Sequence, residues 1–144
     1  ILKEENRITS ATVTENSSAN GYRLPTEQQW EYAARGGNKS NNYTYSGSNN
    51  YDDVAWVDEN NETNEETSGT KAVGGKQANE LGIHDMSGNV WEWTNSPYDI
   101  NYTNRVVRGG SLVRLASFAT VTYRDFYDPD DDYADMGFRL VRAS

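Results

Sequence analysis

The hydrophobic pattern of the chain is regular in only a few short stretches. The first begins with Tyr22-Arg23-Leu24-Pro25, which predicts a short extended piece. Thr26 and Gln29 then form a capping box, the signature of a helix start. The apolar residues of this helix are Trp30, Tyr32, Ala33 and Ala34, and Gly36-Gly37 predicts its end. The stretch therefore predicts one short helix after an extended segment.

Three further stretches predict β-strands. Residues 85–94 alternate small, aromatic and charged side chains after a tight turn, with Trp91 and Trp93 on one face. Residues 105–108 predict a second strand, which Gly109-Gly110-Ser111 interrupts, and residues 137–142 predict a closing strand of alternating apolar and basic residues. One helix, short strands and much loop predict an α+β fold with little regular secondary structure.

The rest of the chain predicts long loops. Residues 1–20 are polar and without a pattern, and residues 38–68 are rich in Asn, Ser, Asp, Glu and Gly. Loops of that length in a compact domain are usually functional or held by side chains. The isolated aromatic residues Tyr43, Tyr45, Tyr51 and Trp56 lie in the second loop, and we expect them to anchor it.

Length and charge bound the class of protein. With 144 residues, 35% of them hydrophobic, and four tryptophans, we expect residues 1–144 to form a single domain with its own core. The net charge of −9 opposes the phosphates of nucleic acid and of membranes, which argues against both as partners. No apolar run reaches the about eighteen residues that span a bilayer. Because the chain begins at Ile1 and not at Met, we expect a fragment or a processed product.

Cysteine is absent, and His84 is the single histidine. The absence removes thiolate nucleophiles, disulfides, thiolate metal sites and redox pairs. One imidazole cannot form a two- or three-histidine metal site, and a serine triad would depend on His84 alone. We expect a turn or surface role for His84, and not that of a catalytic base.

Several motifs, in order along the chain, carry a resemblance to a known family. They are Arg23-Leu24-Pro25-Thr26-Glu27, residues 30–37, residues 79–86, Gly88-Asn89-Val90-Trp91-Glu92-Trp93, Arg108-Gly109-Gly110-Ser111 and Gly137-Phe138-Arg139-Leu140. From about residue 21 to its end, the chain resembles the formylglycine-generating enzyme (sulfatase-modifying factor) superfamily. The resemblance implies a C-type-lectin-like fold. It also implies that this chain is the C-terminal portion of its domain, because members carry another helix and strands before the first motif.

The resemblance leaves function open, because function depends on the site and not on the fold. The enzymes of the superfamily oxidise a substrate cysteine with two cysteines of their own, which this chain lacks. The related sulfoxide-forming iron enzymes need a cluster of histidines, so they are excluded unless further ligands lie upstream. A third branch is not enzymatic: it contains the variable proteins of diversity-generating retroelements, whose C-terminal segment is rewritten by adenine-directed mutagenesis.

Residues 105–139 form the candidate variable region. Adenine-directed change acts chiefly at AAC or AAT codons, from which it cannot produce Lys, Gln, Glu, Met or Trp. None of these five types occurs between Val107 and Asp135, although they make up about a fifth of the other residues. We name the residues that fit a rewritten asparagine the candidate variable positions. They are Val113, Arg114, Leu115, Ser117, Phe118, Tyr123, Asp125, Phe126, Tyr127, Asp131, Asp132, Tyr133, Ala134 and Asp135.

Other residues separate these positions. We expect them to be constant and to form a frame that holds the candidate variable positions. They are Thr120-Val121-Thr122, Arg124, Asp128-Pro129-Asp130 and Gly137-Phe138-Arg139. Leu112 replaces the tryptophan usual in the family, which adenine mutagenesis does not explain. The alternative interpretation is the degenerate loop region of a cysteine-free paralogue.

The composition of the candidate variable positions is typical of a binding surface. Tyr123, Phe126, Tyr127 and Tyr133 would be rigid aromatic anchors among adaptable polar contacts, as in antibody loops. Leu115 and Phe118 could instead belong to the core. Residues 128–132 are rich in aspartate, but they lack the glycine and glutamate of an EF-hand loop, so we expect a solvated acidic loop.

A calcium site follows from the resemblance alone. Enzymes of the superfamily bind calcium beside the Gly-Asn-x-Trp-Glu motif, and the matching residues here are Asp85, Gly88, Val90 and Glu92. Two carboxylates and two carbonyls suit a hard cation. The alternative is that the carboxylates bind turn amides and a nearby arginine. Both interpretations stay open.

The sequence therefore favours a rigid frame with a variable face that binds a protein or a cell-surface ligand without catalysis. One rival is an enzyme whose remaining ligands lie upstream. The other is a surface or carbohydrate-binding domain without programmed variation. By resemblance, we expect display on the bacterial cell surface, through a lipid anchor that would lie outside this chain.

Overall fold

The computed structural model describes residues 20–61, 69–100 and 103–142. Within them, the helices are α1 (Glu27–Ala34) and α2 (Tyr51–Val54), and 3₁₀ turns cover Gly37–Lys39, Asp58–Asn60 and Ala116–Phe118. The strands are β1 (Tyr22–Arg23), β2 (Ala55–Trp56), β3 (Ser87–Gly88), β4 (Trp91–Pro97), β5 (Arg105–Arg108), β6 (Arg124–Tyr127), β7 (Met136–Gly137) and β8 (Val141–Arg142). The predicted mixture of short strands, a helix and irregular structure is confirmed.

Helix α1 begins at the predicted capping box. The Thr26 hydroxyl accepts the Gln29 N–H at 3.2 Å, and the Gln29 side chain accepts the Thr26 N–H at 3.0 Å. Trp30 and Ala34 lie one helical turn apart and are both buried, which gives the helix one face toward the core. The helix ends before Gly36, as predicted.

The largest sheet has the strand order β6-β5-β4-β7. β4, β5 and β6 are antiparallel neighbours, whereas β7 is parallel to β4. Glu92, Arg108 and Arg124 lie on the sheet face toward α1, because each contacts a side chain of that helix. Trp93, Val107 and Asp125 are aligned across the opposite face.

The prediction of one continuous closing strand over residues 137–142 is wrong. Met136–Gly137 pairs with β4, while Val141–Arg142 pairs with β1. The chain therefore changes its pairing partner between them.

The loop predicted over residues 38–68 is only partly correct. It contains α2, two 3₁₀ turns and β2, which pairs in parallel with β3. The expected aromatic anchoring is present, since Tyr45 and Tyr51 pack against the buried cluster of Val54, Ala55, Val57, Ala116 and Ala119. Residues 62–68 of this loop, and residues 1–19 of the first predicted loop, lie outside the described residues.

The segment that follows β5 contributes to the core. Ala116 and Ala119 belong to the cluster just named, and Val121 joins a second cluster with Trp30, Ala34 and Met86. Leu112 is also buried. Residues 111–121 are thus an integral part of the packing. Among the helices of the described ranges, none is long and apolar enough to cross a membrane.

Candidate functional site

None of the candidate variable positions is buried. The buried residues between Val107 and Asp135 form a separate set: Val107, Arg108, Gly109, Gly110, Ser111, Leu112, Ala116, Ala119 and Val121. Val113, Leu115 and Tyr133 are more than half exposed, and Ser117, Asp132 and Ala134 are exposed as well. The candidate variable positions are thus separate from the residues that fill the core.

Arg108 of β5 holds the chain between the 3₁₀ turn Ala116–Phe118 and β6. Its guanidinium is fully buried and donates to the carbonyls of Val121 at 2.9 Å, Thr122 at 3.1 Å and Tyr123 at 2.8 Å. It also forms an ion pair with Glu31 of α1. Burial lowers the pKa of Arg108, and the charge of Glu31 opposes that shift. Because arginine keeps its proton in proteins, this remains a charged clamp.

The 3₁₀ turn Asp58–Asn60 holds the first half of the variable region. Both Glu59 carboxylate oxygens accept the N–H of Ala116, at 3.0 and 2.9 Å. The Asp58 N–H donates to the carbonyl of Arg114 at 2.9 Å. These contacts fix the backbone that carries Val113 to Ser117.

Gly110 brings two parts of the variable region together. Its φ is 72°, and a Cβ at this position would lie 2.9 Å from the Cα of Ala119, so only glycine fits. The Ser87 hydroxyl donates to the Ala119 carbonyl at 2.7 Å on the neighbouring side. The turn between β5 and the 3₁₀ segment is therefore closed tightly over β3.

Five candidate variable positions from three stretches of chain meet and form the aromatic face: Arg114, Phe118, Tyr123, Tyr127 and Tyr133. Arg114 donates to the Tyr127 hydroxyl at 3.2 Å, and the rings of Tyr127 and Tyr133 meet edge to face at 5.3 Å. Phe118 packs edge-on against Tyr123 at 4.9 Å. The bond to Tyr127 raises the pKa of Arg114, while burial raises that of Tyr123. The face combines aromatic rings, hydroxyls and one cation.

The two residues that could belong to the core differ in burial. Leu115 is 51% exposed, so it is a surface residue. Phe118 is half-buried beneath Tyr123, whose ring also lies 6.2 Å from that of the buried Trp91. Phe118 and Tyr123 therefore join the aromatic face to the core.

Phe126 lies on the opposite side of β6 from Tyr127. Its ring stacks on Tyr98 at 4.2 Å, and the Arg124 guanidinium lies 4.7 Å from the centre of the Tyr98 ring. Arg124 is held by both carboxylate oxygens of Glu27, at 2.8 Å each. Tyr98 is outside the predicted region, and sequence reasoning missed it. Its signal was an aromatic residue after Pro97, in the connection that leads to β5.

Some candidate variable positions also hold the fold. The Asp135 carboxylate accepts the hydroxyl of the buried Ser111 at 2.6 Å. Asp131 accepts the Asp128 N–H at 3.1 Å, within the exposed turn that the sequence predicted as a solvated acidic loop. Asp131 and Asp135 thus have structural contacts, whereas Asp132 is exposed.

Three of the four predicted calcium ligands, Asp85, Val90 and Glu92, line a cleft of about 420 Å³, whereas Gly88 does not line it. Asp85 accepts the Gly74 N–H at 2.6 Å through one oxygen, while its buried Oδ1 has no partner among the described residues. Both oxygens of Glu92 bind Arg139, at 2.6 and 2.5 Å, and one also accepts the Trp30 indole N–H at 2.6 Å. The turn amide and the arginine of the alternative interpretation are therefore present.

The oxygen atoms of the predicted ligands are not all saturated by hydrogen bonds. Gly88 is in β3 and Val90 follows it, with the Val90 N–H donating to the Gly88 carbonyl at 3.0 Å. A carboxylate oxygen has two lone pairs, so Asp85 Oδ1 and the once-bonded Glu92 Oε1 can each still accept a ligand bond. The donor set fits a hard cation. In the described ranges, these residues included, no group of three or more His, Asp or Glu side chains is arranged to hold a metal.

His84 lies at the margin of this cleft. It is exposed, and its Nδ1 lies 2.9 Å from the carbonyl oxygen of Lys76. Its contact is therefore with a turn, as the sequence analysis expected.

Comparison with known proteins identifies the fold and the family. The fold is the C-type-lectin-like α+β fold of formylglycine-generating enzymes, shared with two solved structures. One is CarF, with a TM-score of 0.76, 38% identity, and coverage of 89% of this chain and 49% of that chain. The other is variable protein 1 of Treponema denticola, with a TM-score of 0.69, 32% identity, and coverage of 84% and 47%.

The chain belongs to the sulfatase-modifying factor enzyme 1-like domain family, which matches residues 6–144. It is 45% identical over 162 residues to the chaperone protein LppX of Paenibacillus barcinonensis, covering 98% of this chain and 56% of the relative. It is 35% identical over 135 residues to inactive Cα-formylglycine-generating enzyme 2 of Bos taurus, covering 86% and 45%. Proteins named formylglycine-generating enzyme match as well. The chain spans about half the length of these relatives. The predicted family and fold are confirmed.

Proposed function

We propose that this chain is the ligand-binding domain of a variable protein of a diversity-generating retroelement, and that it is not an enzyme. The supporting observation is the separation between the candidate variable positions and the core. Truncating a buried apolar residue costs about 2–5 kcal/mol, whereas exposed substitutions usually stay within about 0.5 kcal/mol. A segment that is rewritten repeatedly must therefore confine the changes to exposed side chains.

The composition of the aromatic face supports a protein or cell-surface ligand. Tyrosine rings offer large contact area with little loss of conformational freedom, and Arg114 adds an orientable donor. The likeness to variable protein 1 of Treponema denticola supports the retroelement hypothesis, and the likeness to an inactive enzyme supports the absence of catalysis. The chain itself contains no cysteine for thiol oxidation. We place the protein on the bacterial cell surface by resemblance to displayed variable proteins.

Sequencing the locus in many isolates tests the retroelement hypothesis. We expect substitutions to concentrate at the codons of the candidate variable positions. The buried codons of Leu112, Ala116, Ala119 and Val121 are the internal control and should stay constant. Substitutions spread evenly over the gene would overturn the proposal and favour a surface or carbohydrate-binding domain without programmed variation. Measured turnover of a cysteine peptide by the full-length protein would instead favour an enzyme.

We also propose that calcium binds at Asp85, Gly88, Val90 and Glu92, where it would have a structural role. The unpartnered Asp85 Oδ1 supports this site. A ligand present at about 100 times its Kd stabilises a fold by about 2.7 kcal/mol, which corresponds to a Tm increase of about 5–10 °C at this size. Calcium should raise the Tm of the wild-type chain and of Asp132→Asn, but not of Asp85→Asn. An equal response of the two variants, or none in the wild type, would exclude the site.

A further inference from the structure

Strand β6 lies at an edge of the four-stranded sheet. It pairs with β5 from Arg105↔Tyr127 to Arg108↔Arg124, and no strand of the described ranges pairs with its other side. The N–H of Phe126 donates to the side chain of its neighbour Asp125 at 2.9 Å, and so not to β5. In an antiparallel ladder the N–H and C=O of one residue point the same way. The N–H and C=O of Phe126 therefore both point away from β5, toward the open edge of the sheet.

Candidate variable positions lie on both sides of this edge. Phe126 is 41% exposed and stacks on Tyr98 on the side toward α1. Asp125 and Tyr127 lie on the other side, where Tyr127 contacts Tyr133 of the aromatic face. A ligand that contacts both sets of side chains must cross the edge of β6, and there it meets main-chain groups.

The edge and the turn after it are strongly acidic. Residues 125–135 contain six aspartates and no Lys, Arg or His; the aspartates are Asp125, Asp128, Asp130, Asp131, Asp132 and Asp135. Arg124, which precedes them, is already neutralised by Glu27. A complementary partner segment carries lysine or arginine, since oppositely charged surfaces favour association and like-charged ones oppose it.

Building on the proposed function, we propose that β6 binds an extended, basic segment of a protein partner by strand addition. An exposed strand edge is a template for such pairing, in which main-chain bonds give affinity and side chains give specificity. The added strand displaces the Asp125 carboxylate from the Phe126 N–H. Its lysine or arginine side chains then pair with Asp125 and with the acidic turn, on the side of Tyr127, while its other face contacts Phe126 and Tyr98.

The substitution Phe126→Pro tests the role of the strand edge. Besides the aromatic ring, proline removes the outward-facing N–H of this position, and edge strands tolerate it where that N–H is not needed by the neighbouring strand. Phe126→Ala is the matched control, because it removes the same ring but keeps the N–H. Asp125→Lys is a second variant, which replaces a negative by a positive charge and should therefore repel a basic partner segment. The probe is a peptide of about ten residues alternating lysine and threonine, the length of a long strand. Its glutamate–threonine counterpart is the control peptide.

Binding is measured by NMR titration of the isotope-labelled chain, with circular dichroism and Tm to establish that each variant folds. We expect the lysine peptide to shift the amide signals of residues 124–127. Phe126→Pro and Asp125→Lys should weaken it at least about tenfold, and Phe126→Ala less than about threefold. Raising the salt concentration from about 50 to 300 mM should weaken it several-fold.

Three outcomes would overturn strand addition: equal affinity for Phe126→Pro and wild type, equal binding of the two peptides, or no shifts at residues 124–127. None of these results affects the codon pattern among isolates, so the proposed function is tested separately.

Discussion

Replacing Arg108 by methionine removes the charged clamp and keeps most of the side-chain volume. Three carbonyls, those of Val121, Thr122 and Tyr123, lose their donor in a buried place, and Glu31 loses one of its two arginine partners. Methionine adapts to irregular space, so little of the effect comes from a cavity.

The loss in free energy of unfolding expected for Arg108→Met can be estimated from the burial of the partners of Arg108. Removing one member of a buried ion pair costs about 3–5 kcal/mol. Glu31 is 31% exposed in its side chain, so it regains some water and the value should lie near the lower limit. A loss of about 3 kcal/mol corresponds to a Tm decrease of about 6–12 °C at this chain length.

Urea unfolding followed by tryptophan fluorescence measures this loss. Arg35→Met is the matched control, because Arg35 pairs with the same Glu31 at 2.8 Å but is 40% exposed. A surface pair of this spacing contributes about 0.3–0.5 kcal/mol. If Arg108→Met costs less than about 1 kcal/mol, or if the two variants lose equal stability, the clamp does not hold the variable region as argued.

Three further predictions, each about a contact that holds the fold, are tested by the same unfolding assay. Gly82→Ala should lower the free energy of unfolding by about 1 kcal/mol, because the φ of Gly82 is 77°. Gly88→Ala has nearly the same φ, 76°, but should cost at least about 2 kcal/mol more. The reason is that its Cβ would lie 2.2 Å from a β2 carbonyl oxygen. Asp135→Ala should cost about 1–3 kcal/mol by leaving a buried serine hydroxyl without its partner, whereas Asp132→Ala should stay within about 0.5 kcal/mol. Thr26→Ala should cost about 1 kcal/mol through loss of the helix cap.

Each of these predictions can be contradicted directly. Equal costs at the two glycines would mean that β2 and β3 are not in close contact. A neutral Asp135→Ala would make that position as free to vary as Asp132. An unchanged stability in Thr26→Ala would mean that the capping box contributes nothing to α1.

Local signals predicted the elements that depend on neighbouring residues. Helix α1 was correct because Thr26 and Gln29 cap it within one turn, and β5 was correct because two adjacent valines, a residue type favoured in strands, precede a glycine break. Strand β6 was not predicted, because Arg124-Asp125-Phe126-Tyr127 shows no apolar alternation and its pairing with β5 is a tertiary contact. A local pattern likewise cannot predict that the chain pairs with one strand at β7 and with another at β8.

The candidate site was predictable as a set of positions but not as a surface. Residue types and codon chemistry identified the candidate variable positions, including the exposed Leu115. They could not show that Asp135 supports Ser111, or that Tyr98 lies against Phe126, since the sheet brings these residues together across long stretches of chain.

Arg108 binds the variable region through carbonyl oxygens, and Glu59 binds it through an amide N–H. Every amino acid supplies a main-chain carbonyl, and every one except proline supplies an amide. The hydrogen bonds that hold Tyr123 and its neighbours therefore do not depend on which side chain is present. Under the proposed function, the fold would depend on main-chain atoms and the specificity on side-chain atoms of the same residues, so that new side chains would change the specificity and keep the fold.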